Sequence, residues 1–138
     1  MQLPQTDTKD TPDAFRITNV LNAFARMADE GTVAQMGELL ADDVEWHMSG
    51  VTWRGHSEVL AGLAEMRARG HAGPESGNRH IVTNQEVHVE DERVRAFSYF
   101  LLVSRAGPAS ILVTGSYRDE LRRCKDGRWQ LTKRDVSV

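Results

Sequence analysis

The spacing of apolar positions changes once along the chain. Up to about residue 70 they recur mainly every three to four residues, as on one face of a helix, and from residue 79 onward they alternate with polar residues, as on a half-buried strand. The first helical stretch opens at Thr11-Pro12-Asp13, which predicts Thr11 as N-cap and Pro12 as the first helical position. Ile17, Val20, Leu21, Phe24 and Ala28 form its stripe, and the helix is expected to run to about Asp29 and end at Gly31. Thr32-Val33-Ala34-Gln35 has the capping-box pattern and starts a short second helix. Val33, Met36, Leu39 and Leu40 supply its apolar face, with Asp42-Asp43 closing it.

Residues 44–48 alternate and predict a strand, Ser49-Gly50 a turn, and residues 51–54 a second short strand. Ser57 is then the expected N-cap of a third helix that buries Val59, Leu60, Leu63 and Met66 and stops at Gly70. A loop over 71–78 precedes a long strand from Arg79, and three more segments follow at 93–105, 109–123 and 128–138. Their connections, Asp91-Glu92, Gly107-Pro108 and Lys125-Asp126-Gly127, are of hairpin type, so these strands should pair antiparallel in sequence order.

The predicted architecture is α+β: three N-terminal helices packed in a strongly curved, mainly antiparallel sheet of two short and four long strands. Three helices cannot cover both faces of such strands, which leaves the outer face partly available for a partner. Residues 1–10 are polar and read as a loosely docked arm, with 11–138 as a single domain.

Composition narrows the class more than the function. The chain has 138 residues, 40% hydrophobic and 27% charged, and its 20 acidic and 17 basic residues give a net charge of −3, which argues against nucleic-acid and membrane partners. No apolar h-region opens the chain and no apolar run approaches the ~20 residues of a membrane span, so a cytoplasmic location is expected. Cys124 is the only cysteine, which excludes an intrachain disulfide and a Cys-rich metal site. His47, His56, His71, His80 and His88 lack metal-ligand spacing, and no phosphate loop or nucleophile elbow is present, so neither a metal nor another cofactor is expected.

The candidate chemistry gathers at residues 79–84. Strand alternation puts His80, Val82 and Asn84 on one face, an apolar lining with polar groups at intervals, as a pocket requires. An imidazole there can move a proton near neutral pH without a metal. Asp29, at the margin of the first helix's stripe, is its natural partner and could fix its tautomer. Asn84 could bind a substrate oxygen. Trp46, Trp53, Tyr99 and Tyr117 read as wall or core, with a hydroxyl of Tyr99 or Tyr117 as a donor to an enolate. Trp129 reads as core of the last hairpin, and Arg134 as reaching an anionic group or pairing with Asp119 or Asp135.

The order of elements, and several stretches as they stand, resemble the SnoaL-like branch of the NTF2-like superfamily over roughly residues 12–137. The stretches are Phe24-Ala25-Arg26-Met27-Ala28-Asp29, Leu40-Ala41-Asp42-Asp43-Val44-Glu45-Trp46, Arg79-His80-Ile81-Val82-Thr83-Asn84, Gly115-Ser116-Tyr117-Arg118-Asp119-Glu120-Leu121 and Asp126-Gly127-Arg128-Trp129-Gln130-Leu131. The resemblance implies a cone whose interior is a ligand cavity. It implies His80 and Asp29 as catalytic residues, with Phe24, Trp46, Asn84, Tyr99 and Tyr117 contacting a small hydrophobic molecule. A cofactor-free lyase or isomerase acting on a carbonyl compound is expected; the alternative is a non-catalytic binding or assembly module like a dioxygenase small subunit. A homodimer through the outer sheet face, or a trimer, is expected in either case. One position departs from the pattern of the related dehydratases: Phe24 stands where they carry a tyrosine, so that hydroxyl is missing.

Overall fold

The computed structural model describes residues 12–138. The arm at 1–10 and the Thr11 cap lie outside the described residues. Helix α1 covers Asp13–Glu30, starting one place later than expected, with Pro12 at the N-cap position and its carbonyl accepting from the Phe15 and Arg16 N–H groups. Ile17, Leu21, Phe24 and Ala28 are buried as the stripe requires, joined by Ala23 and Met27. Gly31 ends the helix in an extended conformation (φ −97°). A β-carbon there would lie 2.7 Å from both Gln35 Oε1 and Met27 Sδ, so a larger residue would have to displace those two side chains.

Helix α2 (Val33–Gly37) carries both hydrogen bonds of the capping box, at 2.9 and 3.1 Å. It is shorter than expected. Leu40 opens strand β1 (Leu40–Met48) instead of carrying the helix on to Asp42-Asp43, because the Leu39 carbonyl is captured by the Leu131 N–H at 2.9 Å. Ser49 and Gly50, both at positive φ, turn the chain into β2 (Val51–Arg54). Helix α3 (His56–Ala68) begins one residue before the expected Ser57 cap: Gly55, at φ +88°, holds the N-cap, and His56 Nε2 donates to the Gly37 carbonyl at 2.8 Å, tying the helix start to α2. Gly62 then meets the Trp53 ring so closely that a β-carbon would overlap it.

The long strands are β3 (Arg79–Glu90), β4 (Arg93–Ser104), β5 (Ser110–Arg123) and β6 (Trp129–Ser137). They pair antiparallel in chain order, and β6 then pairs in parallel with β1, giving the mixed sheet β2-β1-β6-β5-β4-β3. That one parallel pair places Trp46 of β1 beside Arg134 of β6. Register shifts between Thr83 and Glu86 and between Leu102 and Val103 bend the long strands, as bulges do. The inner face of the curved sheet packs on the helices through Val44, Trp46, Val94, Ala96, Leu121 and Leu131.

Candidate functional site

Between the helices and the inner sheet face lies a cavity of about 380 Å³, large enough for a two-ring ligand. Its walls are mostly apolar: Phe24 from α1, Trp46 from β1, Phe100 from β4 and Tyr117 from β5, with Met36, Leu63 and Met66 among the aliphatic groups. His80 lines it from β3.

Helix α1 delivers Asp29 to the start of β3. Its carboxylate accepts the His80 backbone N–H with both oxygens, at 3.0 and 3.1 Å, and Oδ1 lies 2.7 Å from His80 Nδ1. An ionised carboxylate only accepts, so Nδ1 carries the proton in this contact and Nε2 is left as an acceptor. The pair is largely buried, its side chains 10% (Asp29) and 17% (His80) exposed. Asp29 thus fixes both the backbone and the ring of His80, and their pairing is as expected.

Arg67 was not singled out from sequence. It reaches from α3 to the C-terminal end of α1, donating to the carbonyls of Met27 and Gly31 at 2.7 Å and of Ala28 at 3.2 Å, and it lines the cavity. These carbonyls lie at the C-terminal end of the helix, where a cation is favoured, although that of Met27 also accepts the Gly31 N–H at 2.9 Å. Burial lowers the Arg67 pKa, and the neighbouring Asp29 charge works in the opposite sense. The available signal was its spacing: Val59, Leu63 and Arg67 recur every four residues along α3.

Tyr117 is 6% exposed, with its ring stacked on Phe100 at 4.4 Å and 7°. Burial pushes the phenol up to about 12, the Arg134 charge opposing the rise. The hydroxyl therefore stays protonated near neutral pH. It has no hydrogen-bond partner among the described residues. Phe24 packs against Trp46 at 5.8 Å, so these two aromatics form wall as expected.

Arg134 takes the pairing role foreseen for it. Its Nε and Nη2 grip the Asp119 carboxylate at 2.7 and 2.9 Å, and the guanidinium lies 3.7 Å over the Tyr117 ring. Burial disfavours its charge, but Asp119 more than offsets this and the pKa is raised.

Two expected cavity residues lie elsewhere. Asn84 occupies the bulge at positive φ (55°), is exposed, and accepts from the Thr83 hydroxyl at 2.9 Å. The bulge breaks the alternation, so His80 and Val82 point inward and the next inward positions are Gln85 and Val87. Tyr99 is 49% exposed on the outer sheet face, edge-on to Phe97 at 5.4 Å. Trp129 is buried core, and the Cys124 thiol donates to Gln130 Oε1 at 3.0 Å. Among the described residues no three His, Cys, Asp or Glu side chains come together as a metal site would require. No helix among them is long and apolar enough to cross a membrane.

Comparison with known proteins gives the same architecture. The model of the SnoaL-like domain matches residues 10–135. No curated protein matches the chain. Among solved structures, a protein of unknown function with a cystatin-like fold from Nostoc punctiforme superposes with a TM-score of 0.80 at 20% identity, covering 99% of this chain and 93% of the other. A scytalone dehydratase candidate from Novosphingobium aromaticivorans gives 0.74 at 18% identity, covering 90% and 82%. A dehydratase candidate of the NTF2-like family from Streptomyces avermitilis gives 0.75 at 19% identity, covering 92% and 97%. At such identities these likenesses show the fold. With the family match spanning nearly its whole length, the chain belongs to the SnoaL-like domain family.

Proposed function

We propose that this protein is a cofactor-free lyase or isomerase acting on a small cyclic carbonyl compound held in the cavity. The observation that carries the proposal is the 2.7 Å contact between Asp29 and His80 Nδ1 at the wall of an apolar cavity. His80 Nε2 accepts a proton from the carbon next to the substrate carbonyl, while Asp29 stabilises the imidazolium that forms. The Tyr117 hydroxyl donates to the enolate oxygen, the task that Phe24 lacks the group to perform. In an elimination the imidazolium returns its proton to a departing β-hydroxyl, which leaves as water; in an isomerisation the proton goes back to another carbon. The dehydratase candidates among the structural neighbours make this class the natural one to test.

The test is exchange of α-hydrogens into heavy water over a panel of bicyclic ketones. We expect exchange with at least one ketone, and His80→Ala to slow it by about 10²–10⁴-fold, the usual share of a general base. Exchange that survives His80→Ala at full rate on every accepted ketone contradicts the proposal and favours a non-catalytic binding or assembly module.

We further propose that the outer sheet face pairs with a second copy of the chain. Ile81, Tyr99 and Ile111 are 44, 49 and 63% exposed there, an apolar surface that a monomer would leave in water. Sedimentation should show a dimer that Tyr99→Lys with Ile81→Lys dissociates; a monomeric parent protein refutes the pairing.

A further inference from the structure

The cavity has a second polar end, which the proposed proton transfer does not use. Along its sheet wall the side chains run from His80 through Phe100 and Tyr117 to Arg134. The ring centroids of His80 and Phe100 are 6.4 Å apart, Phe100 stacks on Tyr117 at 4.4 Å, and Arg134 lies 3.7 Å beyond the Tyr117 ring. Phe100 thus contacts the imidazole and its stacking partner Tyr117 contacts the guanidinium. Arg134 is 4% exposed and commits Nε and Nη2 to Asp119. That fork fixes the guanidinium plane and leaves Nη1, which has no partner among the described residues, on a side chain that lines the cavity.

The charge pattern of the walls points the same way. Besides Tyr117, the titratable side chains lining this cavity are Arg67, His71, His80 and Arg134; Asp29 and Asp119 stand behind their partners, and no acidic side chain faces the ligand space. Arg67 already serves three helix-end carbonyls. Both terminal nitrogens of Arg67 are spent on those contacts, so Arg134 is the cation that keeps a terminal guanidinium nitrogen, Nη1, without a partner among the described residues.

We propose that Arg134 Nη1 is an oxyanion subsite, taking a carboxylate or phenolate oxygen of a ligand whose ring system lies along Phe100 and Tyr117. The subsite itself does not depend on catalysis. Its distance from the reacting carbon, about two ring widths, rests on the reading of His80 as the base. On that reading the substrate is a fused-ring acid or phenol whose acidic oxygen sits at the opposite end from the carbon that loses its proton.

Calorimetric titration of the full chain with 2-naphthoate, 1-nitro-2-naphtholate and 2-naphthamide tests this. One or both anions should bind about tenfold or more tightly than the amide, the margin of a charge-assisted hydrogen bond, and the stronger of them identifies the oxyanion. Arg134→Met with Asp119→Asn, which removes the cation without stranding a buried carboxylate, should abolish the preference and bring acid and amide to equal affinity. His80→Ala should keep it. Equal binding of acid and amide, survival of the preference in the double variant, or its loss in His80→Ala overturns the proposal. If the double variant does not fold, side-chain nitrogen NMR of the parent protein replaces it. Naphthoate must then shift the Arg134 signals, and a shift at Arg67 alone overturns the assignment. Loss of ketone exchange in His80→Ala is read separately, so failure of the subsite and failure of the catalytic reading remain distinct.

Discussion

Asp29 with His80, and Asp119 with Arg134, are both carboxylate–base pairs with a 2.7 Å contact, and the basic member of each borders the same cavity. They differ in depth and in what the base can do. Asp119 and Arg134 are 0 and 4% exposed at their side chains, against 10 and 17% for Asp29 and His80. A guanidinium does not give up its proton at accessible pH, and here its pKa is raised further, so the deeper pair is a permanent ion pair. An imidazole exchanges its proton readily. The same carboxylate partner thus orients a fixed cation at one end of the cavity and a titratable base at the other. Stability should follow the first pair and turnover the second.

The largest expected effect breaks the deeper pair. Asp119→Ala leaves a buried guanidinium without its counter-charge and should cost about 3–5 kcal/mol in urea unfolding. Replacing both partners at once should cost much less than the single changes added together. A single-residue cost under about 1 kcal/mol would mean that Arg134 finds water or another acceptor, and the contrast between the pairs would fall.

Between them sits Tyr117, whose raised pKa has a consequence for stability. Below pH 10 the phenol is protonated in both folded and unfolded chains. As pH rises from about 10 to about 12 the unfolded chain ionises first, so stability is lost across that window, by roughly 2–3 kcal/mol. Tyr117→Phe should remove that part of the alkaline destabilisation, as alkaline unfolding curves of the two proteins would show. Equal alkaline loss in both proteins would place the phenol in water.

The smallest effect is expected at Asp29. Asp29→Asn keeps an acceptor for the His80 backbone N–H but no longer stabilises an imidazolium. It should slow ketone exchange by about 10–100-fold, as loss of a histidine's orienting partner does, at a stability cost of about 1–2 kcal/mol. A stability loss as large as that of Asp119→Ala, with turnover intact, would reverse the roles of the two pairs.

The sequence carried the Asp29–His80 pair because each residue sits where a strong pattern ends: Asp29 at the close of a six-residue buried stripe, His80 at the start of a long strand. Farther along β3 that legibility failed. Alternation places Asn84 beside His80, yet the bulge that reverses the parity of the strand is a property of its pairing with β4. Tyr99 was ambiguous for a different reason: residues 99–103 are all apolar or aromatic, so period two does not say which face is inner. The cap of α3 moved two residues back, from Ser57 to Gly55, where a tertiary hydrogen bond from His56 to Gly37 overrode the local cap. Spacing put Arg67 on the inner stripe of α3, but its partners are backbone carbonyls more than thirty residues away, which leave no mark on the sequence.

In the proposed mechanism Asp29 holds the His80 proton on Nδ1 and leaves Nε2 as the base. Nitrogen NMR of the imidazole in mildly alkaline buffer tests it directly. The account predicts a protonated Nδ1 and a bare Nε2 in the parent protein, with the preference for that tautomer weakened in Asp29→Asn. A proton resident on Nε2 in the parent protein would contradict it.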